Sequence, residues 1–261
     1  MMDYRLSLLG GFGLEVQGEP LTSFESDKVR ALLAYLAVEN GQPHRRDKLI
    51  GLLWPDSSEK RARHSLSQAL YSLKSTFSDD GQQPCLAVTP QEIRFRSQAF
   101  WLDVEEFQSL IKACEAHNHQ ADWACRACLQ RLERAASLYL GDFLAGLNLD
   151  RCGSFDEWLR QKRYDFREQT IVILDHLARG YDLLGDLETA LFYARKRVDL
   201  DPLNEEHHRQ VMQLHARLGQ RNAALVQYEA CCRILSTELG VEPEVKQKLL
   251  NEFDAWVAEN V

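Results

Sequence analysis

The sequence predicts a protein of two folded parts. These are an α+β winged-helix domain at residues 1–98 and an all-α, tetratricopeptide-like helical domain at residues 99–261. Alternating apolar residues predict short strands at both ends of the first part, with three amphipathic helices between them. In the second part the apolar spacing is almost entirely helical. Residue pairs there recur at an interval of 34, which is the tetratricopeptide period.

Length and composition are those of a folded protein. With 261 residues, of which 45% are hydrophobic and 27% charged, the chain is long enough for two domains that each have a core. Its longest apolar runs are far shorter than a membrane span, and the N-terminus lacks the charged-then-apolar pattern of a signal peptide. We therefore expect a cytoplasmic protein that does not enter a membrane.

Charge is divided unevenly along the chain. The net charge is −8, yet residues 1–100 contain 12 basic and 12 acidic side chains, whereas residues 101–261 contain 19 and 27. Within the first part, residues 44–77 carry seven basic groups against three acidic ones. A local basic patch in an acidic protein favours DNA binding, because the acidic part reduces non-specific attraction to phosphate. A solvated helix face is the alternative interpretation.

Residues 57–77 form the helix on which the functional interpretation depends. Its apolar residues recur every three or four positions and predict one buried stripe of Ala62, Leu66, Ala69, Leu70, Leu73 and Phe77. The opposite side holds Arg61, His64, Gln68, Tyr71 and Ser75, and the flanks hold Lys60, Arg63, Ser67 and Lys74. No acidic residue follows Glu59 in this helix. Such a face suits a DNA major groove, which offers hydrogen-bonding base edges.

Neighbouring segments complete a winged helix. The predicted elements are helices at residues 26–39, 45–54 and 57–77 and strands within residues 4–16, 85–89 and 93–97. In the terminal hairpin Arg94 and Arg96 point away from the apolar side of the strand. In this fold the third helix enters the major groove and the hairpin lies on the adjacent backbone or minor groove.

The second part contains an internal repeat. The matched pairs, each 34 residues apart, are Leu184-Gly185 with Leu218-Gly219 and Ala190-Leu191 with Ala224-Leu225. Two repeats are few for a free solenoid, so we expect flanking helices within residues 101–150 and 243–260 to cap them. An interaction or dimerisation surface is the expected use, and a helical block that only supports the first domain is the alternative.

Several motifs follow one another in order along nearly the whole chain. They are Leu9-Gly-Gly-Phe-Gly13, Lys28–Ala37, Arg46–Pro55, Ala62–Leu66, Leu70–Lys74, Trp101–Phe107, Ala136–Gly146, Trp158–Arg160, Asp201-Pro202, Glu206–His208 and Glu238–Pro243. In this order and spacing the sequence resembles the Streptomyces antibiotic regulatory protein family. Its members carry a response-regulator-like winged helix followed by a bacterial transcriptional activator domain.

The resemblance implies a sequence-specific transcriptional activator. It implies promoter DNA as a partner, in tandem direct repeats for several family members, with a homodimer expected at least on DNA. It further implies that the loop at residues 54–59 and parts of the helical domain face RNA polymerase and its sigma subunit. One departure is Lys74, which stands where the family often has arginine and so weakens a directional phosphate contact.

Ten residues are expected to contact DNA. The candidates for base or near-base contact are Arg61, His64, Ser67, Gln68 and Tyr71. The candidates for phosphate or minor-groove contact are Lys60, Arg63, Lys74, Arg94 and Arg96. The docking angle decides between base and phosphate, so this division stays open. The main rival is a helical-repeat signalling or scaffold protein whose winged helix does not read DNA. A weaker rival is a regulatory head that works with an ATPase on another chain.

The cysteines predict reduced thiols. There are seven, an odd number at irregular spacing. Cys125-x-x-Cys128 lies near Cys114, His117 and His119, but the second cysteine pair that zinc sites usually have is missing. We therefore expect ordinary thiols and no metal.

The remaining chemistry-bearing residues predict no enzyme. His208 and His215 are seven positions apart and could share a helix face, where packing or surface roles are expected. The sequence has no nucleophile elbow, no paired carboxylates and no nucleotide-binding loop. We expect neither enzyme activity nor a cofactor.

Overall fold

The computed structural model describes residues 4–77, 85–117 and 124–240. These residues form two compact units. The first contains residues 4–77, 85–113 and 137–166, and the second contains residues 114–117, 124–136 and 167–240. The predicted domain boundary between residues 98 and 99 lies where the sequence pattern changes, and it stays a prediction. The compact units are defined by packing, so each contains segments that are separated in the chain.

The first unit has an α+β fold. Its strands are β1 (Tyr4–Ser7), β2 (Gly13–Val16), β3 (Glu19–Pro20), β4 (His44–Arg45), β5 (Leu86–Val88), β6 (Glu92–Phe95) and β7 (Phe100–Leu102). Its helices are α1 (Asp27–Val38), α2 (Arg46–Leu53), α3 (Glu59–Thr76) and most of α4 (Asp103–Glu115). The predicted fold class is confirmed, since this mixed region precedes a region of helices.

The strands form two small sheets. One has the order β3-β2-β1-β7, and its β1 and β2 pair antiparallel, as the predicted meander requires. Tyr4 and Leu6 of β1 are buried while Arg5 is exposed, which is the period of two of a half-buried strand. β7 pairs with β1 in parallel, although the sequence looks helical from about residue 101. Three residues are too few for periodicity to distinguish a strand from a helix.

Asp103, directly after β7, ties that strand to the N-terminal residues. Its carboxylate accepts hydrogen bonds from the backbone N–H groups of Leu8 and Leu9 at 2.6 and 2.7 Å. The side chain is buried. Burial raises the pKa of Asp103, and the backbone N–H donors act in the opposite direction. This carboxylate therefore satisfies two buried donors that lie more than 90 residues away in the chain.

Helix α1 runs through the core of the first unit. Its buried residues are Val29, Ala31, Leu32, Leu33, Ala34, Tyr35, Leu36 and Ala37. Such an apolar surface on most sides is expected of a helix enclosed by other elements. Trp158 packs on Tyr35 with ring centroids 5.0 Å apart, and its indole N–H donates to Glu39 at 3.0 Å. Residues far along the chain thus complete the core around α1.

The second unit is helical. Its elements are most of α5 (Arg126–Leu138), the part of α6 (Gly153–Leu183) from residue 167 onward, α7 (Leu187–Leu200), α8 (Glu205–Arg217) and α9 (Arg221–Leu239). Its core includes Ala178, Ala190, Leu191, Ala194, Val198, Val211 and Leu214. Alanines at these positions let the helices approach closely. The helix expected within residues 243–260 lies outside the described residues.

The repeat of 34 residues corresponds to a repeated turn. After α6, Gly185 has φ +80°, and the N–H of Asp186 donates to the carbonyl of Tyr181 at 3.0 Å. After α8 the counterparts 34 positions later repeat this geometry, with φ +71° at Gly219 and a bond of 2.9 Å. Both are left-handed glycine turns that satisfy the last carbonyls of a helix. The tetratricopeptide-like character is confirmed.

Across the described ranges, none of the helices combines the length and apolarity needed to cross a bilayer.

Candidate nucleic-acid interface

Helix α3 is anchored along one stripe, as predicted. All of Ala62, Leu66, Ala69, Leu70, Leu73 and Phe77 are buried. Ser58 precedes the helix and its carbonyl accepts the N–H of Ala62 at 2.9 Å, but its hydroxyl makes no capping hydrogen bond. The stripe therefore fixes which side chains face outward.

The outward face carries a row of four side chains. Arg61, His64, Gln68 and Tyr71 are all exposed, and the tyrosine is 75% exposed. Their spacing of three, four and three positions puts them on one face over about 15 Å of helix. Within the described part of the chain none of them forms a hydrogen bond or an ion pair. Their polar groups are free to bind a partner.

The flanks of α3 differ in what they already bind. Lys60 and Lys74 are exposed and have no ion-pair partner among the described residues. Arg63, in contrast, pairs with Glu59 at 2.8 Å and with Asp47 at 3.4 Å. These three side chains are 58%, 77% and 65% exposed, so water screens both pairs. A phosphate would have to compete with two carboxylates for Arg63.

Ser67 is also engaged within the protein. Its hydroxyl accepts a hydrogen bond from the Arg46 guanidinium at 3.0 Å and donates to the backbone carbonyl of Arg63 at 2.9 Å. Ser67 remains exposed. A base contact from this residue would use the remaining lone pair of the hydroxyl oxygen as an acceptor, or would replace one of these two hydrogen bonds.

The hairpin of β5 and β6 forms the wing. It joins β4 in a sheet of order β4-β6-β5, in which Ile93 is buried between neighbouring strands. The turn is held by Thr89, whose hydroxyl oxygen accepts the N–H of Glu92 at 2.9 Å. Arg94 is exposed, whereas Arg96 is half-buried and its backbone N–H donates to Cys85 at 2.9 Å. The predicted alternation along β6 is present, and Arg94 is the more accessible cation.

The loop between α2 and α3 is held at its start. The Lys28 ammonium donates to the carbonyl of Leu53 at 2.6 Å and lies 5.6 Å from the centre of the Trp54 ring. Trp54 is buried, and residues 55–59 after it are exposed. The loop thus has a fixed base and an accessible tip.

Arg45 and Arg46 were not among the predicted contacts, yet they lie beside them. The Arg46 guanidinium donates a hydrogen bond to Ser67 of α3. The exposed Arg45 lies opposite Glu92 of the wing, as its neighbour in the antiparallel pairing of β4 with β6. The sequence signal was available, because both residues belong to the basic stretch at 44–77. Helical spacing within α3 alone could not include them.

The histidines of α8 are packing residues. His207, His208 and His215 are buried. The ring of His208 is 2.8 Å from the carbonyl of Pro202, and the ring of His215 is 2.7 Å from the side-chain oxygen of Gln220. Each ring is thus occupied by a local hydrogen bond, as expected of buried polar groups.

Comparison with known proteins agrees with this architecture. The sequence profile of the family described as "Bacterial transcriptional activator domain" matches residues 102–252. Among solved structures, that of Mycobacterium tuberculosis EmbR in complex with low affinity phosphopeptide has a TM-score of 0.71 and 22% identity over 96% of this chain and 64% of that one. This chain therefore spans less than two thirds of that protein, and at this identity the likeness shows the fold. No curated protein matches the sequence.

The matched profile covers more than half of the chain, and this family of transcriptional activators is normally not enzymatic. This chain belongs to the bacterial transcriptional activator domain family. The resemblance to Streptomyces antibiotic regulatory proteins is thereby confirmed.

Proposed function

We propose that the protein is a sequence-specific DNA-binding activator that inserts α3 into the major groove. The observation that carries this proposal is the exposed row of Arg61, His64, Gln68 and Tyr71, whose polar groups have no partner within the described residues. Arginine reads guanine and glutamine reads adenine through paired hydrogen bonds at the base edges. Major-groove bases are thus a suitable occupant for this face.

Phosphate contacts would set the register of the complex. Lys60, Lys74 and Arg94 are exposed cations around the row and are the simplest candidates. Arg63 would join them by giving up its two carboxylates, and Ser67 would join the base contacts through its remaining lone pair or by releasing Arg46. Arg96 is half-buried and would act at the edge of the interface, at the phosphate backbone or the minor groove.

Activation requires contact with the transcription machinery as well as with DNA. The exposed tip at residues 55–59 and the helical second unit are the proposed surfaces for RNA polymerase and its sigma subunit. Binding to direct repeats would place two copies on one promoter, and a homodimer is expected at least on DNA.

The experiment is a comparison of specific and non-specific binding. Selection of bound genomic fragments first supplies the operator, and titration of the full chain then measures its affinity for operator and for random duplex DNA. Arg61→Ala and Gln68→Ala should each weaken operator binding by about 1–3 kcal/mol and relax base preference at one position. Random DNA should lose much less.

A matched control is Gln108→Ala, which removes an exposed glutamine from α4 and should leave both affinities unchanged. An equal loss on operator and random DNA would reduce Arg61 or Gln68 to a phosphate contact. If the intact chain does not retain duplex DNA even at low salt, the proposal is wrong and the scaffold alternative stands.

A further inference from the structure

Three thiols and one imidazole converge in the second unit. Cys114 lies in the last turn of α4 and His117 follows that helix. Cys125 directly precedes α5, and Cys128 lies in its first turn. The spacing is Cys-x₂-His followed by Cys-x₂-Cys, which is two ligand pairs of the kind that structural zinc sites use. Cys114-x₂-His117 thus takes the place of the second cysteine pair that zinc sites usually have.

Distances among the side chains fit a bound metal. The Nδ1 atom of His117 is 3.2 Å from the sulfur of Cys128 and 3.6 Å from the sulfur of Cys125. The ligand atoms of these three residues all lie within 4.8 Å of one another. A tetrahedral Zn²⁺ with ordinary Zn–S and Zn–N bonds would hold sulfur and nitrogen about 3.6 Å apart. The imidazole nitrogen is therefore within about 0.4 Å of the separation that zinc imposes from each of these two sulfurs.

Cys114 is the candidate fourth ligand, although its sulfur is not among the ligand atoms that lie within 4.8 Å of one another. Its thiol lies 3.7 Å from the backbone carbonyl of Cys128 and also interacts with the thiol of Cys128. Cys114 and Cys125 are half-buried, and Cys128 is buried. Partial burial limits access of water and of competing ligands, as in closed structural sites.

Electrostatics favour a cation at this point. A metal binds cysteine as the thiolate, and a divalent cation offsets the repulsion among three thiolates. The sulfurs of Cys125 and Cys128 also lie at the N-terminus of α5, where the helix dipole favours negative charge.

We propose that Cys114, His117, Cys125 and Cys128 bind one Zn²⁺ as a closed structural site. Binding releases the thiol protons to solvent as three sulfur–metal bonds form, and three thiolates with a neutral imidazole leave a site of charge −1. The metal would link the C-terminal end of α4 to the N-terminal end of α5. His119 lies outside the described residues and is not part of the proposed set.

The test uses the full chain, purified under reducing conditions, with metal measured by elemental analysis. About one Zn²⁺ per chain is expected. Replacement by Co²⁺ should give the visible absorption bands of tetrahedral cobalt. It should also give a near-ultraviolet thiolate-to-cobalt charge-transfer band with the intensity expected of three sulfur ligands. Cys125→Ser and His117→Gln, which avoid the buried Cys128, should weaken metal binding at least about 100-fold, because removing a group that merely orients a ligand already costs 10- to 100-fold.

Cys232→Ser is the matched control, since it removes a half-buried cysteine of α9 and should leave stoichiometry and spectra unchanged. Circular dichroism of each variant separates metal loss from misfolding. The proposal is overturned if the reduced protein binds neither Zn²⁺ nor Co²⁺, or if Cys125→Ser binds them as tightly as the parent. It is equally overturned if mass spectrometry finds a Cys125–Cys128 disulfide and no metal, or if Cys114→Ser leaves the cobalt spectrum unaltered.

Discussion

At the scale of single residues, the cations of α3 differ in how readily they can meet a phosphate. Lys60 and Lys74 have no carboxylate to give up within the described residues, whereas Arg63 contacts Glu59 and Asp47. Exposed ion pairs of this type contribute about 0–1 kcal/mol. A DNA phosphate can therefore displace a carboxylate from Arg63 at little cost. Removal of a carboxylate should still change the measured affinity for DNA.

Glu59→Gln is therefore expected to tighten DNA binding. The change removes an anion from the proposed interface and leaves Arg63 with Asp47 as its one carboxylate partner among the described residues, so affinity at low salt should rise about two- to five-fold. Operator and random DNA should gain equally, because a phosphate contact carries no base information. Fluorescence anisotropy titrations at two salt concentrations measure both effects.

Glu188→Gln provides the control, since it makes the same change of net charge at an exposed position in the second unit. It should alter affinity much less than Glu59→Gln. Weaker binding by Glu59→Gln would contradict the expectation and would mean that Glu59 holds Arg63 in its DNA-binding orientation.

The sequence predicted the faces of α3 but not these partners. Periodicity is local, so it identified the buried stripe and the exposed row from the helix alone. Asp47 is 16 residues from Arg63, and Arg46 is 21 residues from Ser67. Their approach depends on how α2 packs beside α3, which a helical wheel does not contain.

At the scale of elements, the turns after α6 and α8 should make equal contributions to the helical unit. Gly185 and Gly219 have φ of +80° and +71°, a conformation that residues with a Cβ adopt at a cost. A Cβ at either position would meet nothing within 4 Å. Gly185→Ala and Gly219→Ala should therefore each lower the free energy of unfolding by about 1–2 kcal/mol through the backbone alone.

Urea unfolding followed by circular dichroism measures this loss. Gly153→Ala is the control, because Gly153 begins α6 without a positive φ and also has open space around it. That variant should be neutral or slightly stabilised, since alanine restricts the unfolded chain. If Gly219→Ala costs nothing while Gly185→Ala costs the full amount, the two turns are not energetically equivalent repeats.

Elements were predictable where their pattern was long or repeated. The repeat of 34 located both glycine turns, and the 31-residue α6 follows from a long amphipathic run. β7 was not predictable, because a strand of three residues has no measurable period. Residues 100–102 form a strand because they pair with β1, nearly 100 residues earlier in the chain, and the tertiary fold brings the two together.

At the scale of the whole molecule, the sequence pattern and the packing imply different minimal folding units. A fragment ending at residue 98 would contain every proposed DNA contact. It would lack Phe100, whose ring lies within about 5 Å of the rings of Tyr4, Phe77 and Phe95. It would also lack Asp103, which accepts the buried N–H groups of two N-terminal residues, and Trp158, which covers Tyr35.

These losses are comparable with the stability of a domain. Each orphaned buried donor costs about 1–3 kcal/mol, and each large apolar side chain that becomes exposed costs about 1.5–3 kcal/mol. Two donors and a few aromatic rings therefore approach the 5–15 kcal/mol that typically separates a folded from an unfolded domain. We expect residues 1–98 alone to be largely unfolded and to bind DNA weakly, despite carrying the whole of α3 and the wing.

Thermal unfolding and operator titration of three chains test this expectation. The fragment 1–98 should show no cooperative transition, the fragment 1–113 should regain part of one because β7 and Asp103 are restored, and the full chain should be most stable. Affinity for the operator should rise in the same order, since α3 must be held in place before its exposed row can be presented to DNA. Cooperative unfolding of 1–98, together with the operator affinity of the full chain, would instead support the boundary at residue 98. The later residues of the first unit would then serve packing that DNA recognition does not require.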